Sequence, residues 1–173
     1  IAVLPAAQSL DVETDILGVA LSHEPGVTLL EREEIRRILG EQAQALSTAE
    51  DCLRLGAILR ADGVIALRRV RVEQQELIVA DLVAVGLGYR LDEFAYRYPA
   101  ASVDKWVEDV RTRFARQLSK LRLQPKDVIP LSFLSMRAAA GTTDAKVLER
   151  SLNFLLPARL ISEPRVIVLE RQH

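Results

Sequence analysis

Two stretches of this chain repeat each other. Leu17 to Glu34 reads LGVALSHEPGVTLLEREE, and Leu156 to His173 reads LPARLISEPRVIVLERQH. Aligned without a gap, eight of the eighteen positions are identical: Leu17/Leu156, Leu21/Leu160, Glu24/Glu163, Pro25/Pro164, Val27/Val166, Leu30/Leu169, Glu31/Glu170 and Arg32/Arg171. Unrelated segments share about one. A repeat of this kind requires any fold to supply the same helix end, turn and apolar run twice. The first copy runs on into a helical pattern, whereas the second stops at His173. The expectation is one complete domain over residues 1–123 and a partial second copy over residues 128–173.

Periodicity supplies the rest of the architecture. Ile1 to Leu4 is a short apolar strand closed by Pro5, and Ser9 or Asp11 caps a helix with Leu10, Ile16, Leu17, Ala20 and Leu21 on one side. Glu24-Pro25-Gly26 stops that helix, and Val27 to Leu30 reads as a second strand. Glu31 to Ala45 carries helical spacing at Ile35, Ile38 and Leu39. Ser47-Thr48-Ala49-Glu50 has capping-box spacing before a helix holding Cys52, Leu55, Ile58 and Leu59. Val64 to Val72, Leu77 to Val85 and Tyr89 to Tyr98 form a meander. Val103, Trp106, Val107, Val110, Phe114, Leu118 and Leu121 mark a long amphipathic helix, its outer face basic with Lys105, Arg111, Arg113, Arg116 and Lys120. A polar stretch around Pro125 separates the units. After it come a strand over Val128 to Leu134, a helix from Asp144 with an expected bend at Pro157, and a closing strand. The order β-α-β-α-α-β-β-β-α followed by β-α-β predicts an α/β fold with a mixed sheet sandwiched by helices.

The landmarks Leu29-Leu30-Glu31-Arg32, then Leu55-Gly56 and Ala61-Asp62-Gly63 ahead of the meander, resemble the curli production assembly and transport family of bacterial envelope proteins. That family is similar in structure to the penicillin-binding-protein activator lipoproteins and to the amino-terminal domain of the Tol-Pal translocation protein. The resemblance covers about Ile1 to Leu121 and recurs over Val128 to His173. It implies a cell-envelope protein, periplasmic or lipid-anchored, with protein partners or self-association and a role in assembly, secretion or regulation of surface structures. Leu77 to Tyr98 is too short for a pore wall, which needs several hairpins of strands about 9–11 residues long.

Little in the sequence points to chemistry. Glu31-Arg32 and Glu170-Arg171 place a carboxylate beside a cation twice; at a strand-to-helix junction they read as a structural signature of the repeat. Glu33-Glu34 and Glu108-Asp109 are adjacent in helices, where neighbours point about 100° apart and do not converge on one substrate. Gly86-Leu87-Gly88 is a turn, because no helix follows to bind an anion. His23 and His173 have no cluster at metal-ligand spacing, so neither a metal nor a cofactor is expected. Cys52, the only cysteine, lies in an apolar helix and reads as a buried thiol. Formal net charge is −1 and aromatics are 5% of the chain, which argues against a nucleic-acid surface despite Arg68, Arg69 and Arg71. No apolar run is long enough to span a membrane, though peripheral or anchored attachment stays compatible. Tyr89, Phe94, Tyr96 and Tyr98 concentrate the aromatics in one strand. They are the candidate partner-binding residues, against burial beneath the long helix. The expectation is a non-enzymatic binding protein; the alternative is a ligand-binding or enzymatic α/β domain whose site lies outside this chain or between the repeats.

Overall fold

The computed structural model describes residues 1–5, 10–39, 48–98, 102–134, 136–139 and 142–169. Its elements run β1 (Ala2–Pro5), α1 (Asp11–Ser22), α2 (Arg32–Leu39), α3 (Ala49–Ile58), β2 (Gly63–Val72), β3 (Gln75–Ala84), β4 (Tyr89–Tyr98), α4 (Val103–Leu118), β5 (Ile129–Ser132), α5 (Thr143–Ile161) and β6 (Val166–Leu169). Strands β1 to β4 form one sheet in that order, with β1 parallel to β2 and the other pairs antiparallel. A register shift between Leu82 and Val83 bulges the last pair. Strands β5 and β6 form a separate parallel pair.

Alternation along the strands sorts the core into two faces. Val3, Ile65, Leu67, Ile78, Ala80 and Leu82 point to one side, under Leu10 just before α1, Leu17 and Leu21 of α1, and Trp106, Val110 and Phe114 of α4. Ala2, Leu4, Val64, Ala66 and Val83 point to the other, under Ile35 of α2 and Cys52, Leu55 and Leu59 of α3. The expected mixed sheet between helices is therefore the architecture of this chain. Gly56 lets α3 come close to the sheet: a Cβ there would stand 2.8 Å from Val64 Cγ2 and nearer still to Val85 Cγ2. Ile167 of β6 and Val128 belong to the same buried cluster as Trp106, so the C-terminal segment is docked on the first sheet's core.

Several local expectations are corrected. Val27 to Leu30 is not a strand. After the turn at Gly26, φ +75°, it runs beside β1 and exchanges hydrogen bonds with Ile1, whose N–H donates to Thr28 O at 2.7 Å and whose carbonyl accepts from Leu30 N at 2.9 Å. With β1 only four residues long, no ladder develops from that contact. Helix α1 starts from Leu10 with no side-chain cap; Asp11 is its first residue and Ser9 lies outside the described residues. The capping box of α3 is one residue later than the sequence spacing suggested: Thr48 Oγ1 accepts from Asp51 N, and the Asp51 carboxylate accepts from Thr48 N. Lys120 does not belong to the basic outer face of the long helix, because α4 gives way to a 3-10 turn over Ser119–Arg122 that buries it to 2% exposure. Arg111 pairs with Glu24 and Glu108, and Arg113 with Asp92, which neutralises much of the remaining basic face.

The two copies of the sequence repeat end their helices alike. Glu24 N donates to Leu21 O at 3.0 Å and Val27 N to Glu24 O at 3.1 Å; at the matched positions Glu163 N donates to Leu160 O at 3.1 Å and Val166 N to Glu163 O at 3.2 Å. Beyond that turn the copies differ, since β6 is a ladder strand and Val27 to Leu30 is not.

Candidate interaction surface

Helix α5 begins at Thr142, whose hydroxyl accepts from Ala145 N at 3.3 Å, and continues through Pro157 to Ile161. Successive residues advance by about 100°. Leu152, Asn153, Leu156, Leu160 and Ile161 fall on one half and are partly buried. Asn153 is held there by two hydrogen bonds to the Met136 backbone, at 2.7 and 3.0 Å, and Glu149 accepts from Ala138 N at 2.8 Å, so a strap over 136–139 is tied to the helix. The opposite half carries Val147, Leu148 and Leu155, exposed at 58%, 58% and 57%, together with exposed Asp144, Ser151 and Ala158. Leu155 is the repeat equivalent of Ile16, which packs against the main core. A contiguous apolar stripe left in water is the signature of a contact surface rather than of scattered surface leucines. A recess of about 350 Å³ beside it is lined by Met136, Ala138, Ala145, Leu148 and Leu152.

The strand edges next to this helix are closed to further pairing. Ile129 N donates to Arg165 O at 2.7 Å, so Ile129 faces β6 and Pro130 faces away, leaving the outer edge of β5 without an N–H at that residue. On the outer edge of β6 the Val166 carbonyl accepts from Lys120 Nζ at 2.8 Å. The same ammonium donates to Ile161 O, the last residue of α5, at 2.6 Å. Burial lowers the Lys120 pKa from the ordinary lysine value.

The aromatic strand proposed for partner binding is half-buried. Tyr89, Phe94, Tyr96 and Tyr98 all pack partly against the main core. Phe94 lies beneath Arg113, 5.2 Å from guanidinium carbon to ring centroid, and its ring centre is 6.3 Å from that of Tyr96. Tyr98 carries Arg69 at 4.1 Å. Phe94 thus meets α4 through Arg113, whereas Tyr98 meets β2 through Arg69. Of the repeat signature, Glu31 is exposed and its carbonyl accepts from Ile35 N, while Arg32 donates to Asp11 and Asp15 of α1. Glu170 and Arg171 lie outside the described residues.

Strand register also assembles a charge ring not recognised from the sequence. Asp81 is paired opposite Ala66 and Glu93, which sets Arg68, Asp81 and Glu93 on one face. Arg68 donates to Asp81 at 2.8 Å and to Glu93 at 2.9 Å; Arg90 donates to the same two carboxylates at 2.9 and 2.6 Å. Burial disfavours charge on Arg68, but the two carboxylates outweigh it and raise its pKa. The ring borders a cavity of about 560 Å³, also lined by Thr48 at the start of α3, Pro157 and Ile161 from α5, and Val168 and Leu169 from β6. Its charges neutralise one another. Among the described residues no group of three or more His, Cys, Asp or Glu is placed to hold a metal ion, and no helix is long and apolar enough to cross a membrane.

No protein-family model matches the sequence, and no curated protein matches it. Among the solved structures that match, the LpoB C-terminal domain from Salmonella enterica superposes with a TM-score of 0.44 at 14% identity, covering 57% of this chain and 82% of that one. A superposition that loose carries no argument about what this chain does.

Proposed function

We propose that this chain is a non-enzymatic cell-envelope protein that acts through protein–protein contacts in the assembly, secretion or regulation of surface structures. The observation that carries the contact role is the bare apolar half of α5, with Val147, Leu148 and Leu155 all more than half exposed. The envelope assignment rests on the sequence landmarks Leu29 to Arg32 and Leu55 to Gly63. In this reading residues 128–173 open a second copy of the unit formed by residues 1–123, supported by the repeated sequence and by the matched turn at Glu24 and Glu163.

The test is a photo-crosslinking amino acid at position 155, with position 105 on the exposed face of α4 as control, in the cells that make the protein. Adducts to protein from position 155 above the control, in the envelope fraction, are expected. Equal yields from both positions, or a product confined to the cytosol, would overturn the proposal. A ligand-binding reading is favoured by one observation, the 560 Å³ cavity between the units with its ring of Arg68, Asp81, Arg90 and Glu93. A small molecule retained through purification and lost from Arg68→Ala by native mass spectrometry would support it.

A further inference from the structure

We infer that a second copy of this chain docks on the exposed half of α5, the two helices running antiparallel about a twofold axis at Ser151. The inference rests on α5 being a contact surface and names its partner. An isologous contact requires the surface to complement itself, so that residue i meets j and j meets i. Antiparallel pairing centred on Ser151 sets Val147 of one copy against Leu155 of the other, twice by symmetry. It also brings Asp144, in the first turn of the helix, beside Arg159 in the last turn of the partner copy. Arg159 is available for this: its side chain is 77% exposed, and its pairing among the described residues is with Glu163 of the same copy, at 3.6 Å. The small side chain of Ser151 at the crossing allows the axes to approach to about 8–10 Å. Opposed helix dipoles add to the charge match, because each acidic first turn lies by a basic last turn. Parallel pairing has neither property: it would set Asp144 against Asp144 and Arg159 against Arg159. Beside α5 the short strands compete poorly, since Pro130 removes a donor from β5 and Lys120 occupies the Val166 carbonyl of β6. With only Val147, Leu148 and Leu155 as large exposed apolar side chains, the contact is small, and weak dimerisation with dissociation in the micromolar range or above is expected.

Sedimentation equilibrium on the purified chain, from about 1 μM to about 1 mM, tests this directly. Dimer formation is expected within that range. Asp144→Arg alone and Arg159→Asp alone should each weaken it by about 10-fold, through repulsion at two symmetric sites. Mixing the two variants should restore association, because every contact in the mixed dimer again pairs opposite charges. Both positions are exposed, and each variant's melting curve reports whether it is folded. A monomer at every concentration, single variants that associate like the original chain, or a mixture no stronger than its components would each overturn the inference. A strictly monomeric chain that still forms adducts to other proteins from position 155 would sink the dimer and leave the contact function standing; no adducts at all would remove both.

Discussion

Lys120 Nζ donates to the carbonyl of Ile161 across 2.6 Å, joining the 3-10 turn after α4 to the last residue of α5. Its second bond, to Val166 O, spans the turn between α5 and β6. Lys120→Met keeps the apolar stem and removes the ammonium, leaving two carbonyls without this donor. The expected cost is about 2–4 kcal/mol, and amide exchange in β6 should speed up before exchange in β3. Unchanged protection in β6 would show that apolar packing of Ile167 alone holds the segment.

Trp106 is fully buried in the cluster with Val110 and Phe114. Trp106→Ala should lower stability by about 3–5 kcal/mol. The thermal midpoint should fall sharply or the cooperative transition disappear; a midpoint within about a degree of the original would refute the packing role.

At Gly56 the prediction concerns space rather than helix preference. Alanine is the better helix former, yet its methyl group would crowd Val64 and Val85. Gly56→Ala should destabilise by about 1–3 kcal/mol in urea titration, with the slope unchanged. Stabilisation would mean that the valine side chains give way freely.

Cys52 is 3% exposed, and burial, followed by the negative charge of Asp81, pushes its thiol pKa up to about 11 from 9.0. Above pH 9 the unfolded chain loses this proton while the folded one keeps it, so the contribution to stability falls as pH rises from about 9 to about 11. The thiol should resist alkylation at pH 8 until the protein is unfolded. Cys52→Ala should show a shallower loss of melting temperature over the alkaline window. Fast labelling of the native protein would contradict this placement.

What the sequence revealed followed its periodicities. The stripe from Trp106 to Phe114, the three meander strands and the capped helix after Thr48 each announce themselves through spacing. Helix α5 is legible as a helix from Asp144 onward, but Leu148, Leu152, Leu155, Leu156 and Leu160 share one broad arc, and only the strap at Met136 and the neighbouring β6 decide which part of it is covered. Lys120 looked solvated because its two acceptors lie about forty residues further along the chain and no local pattern connects them. Arg68, Asp81 and Glu93 likewise meet only through strand register, and residues spaced this far apart leave no local mark of their ring. Val27 to Leu30 misled in the other direction: its composition is that of a strand, but among the described residues only Ile1 hydrogen-bonds to it in the manner of a neighbouring strand.

The proline in β5 has a consequence for how this protein behaves when crowded. A short parallel pair with a bare outer edge is a nucleus for filament growth, since each added strand presents the next with the same row of donors and acceptors. Pro130 turns a pyrrolidine ring toward that edge, so an arriving strand finds a gap in the row and steric bulk in place of a proton. Growth by strand addition on β5 meets that gap at its first step, whereas pairing through the side chains of α5 closes on itself instead of running on into a fibre.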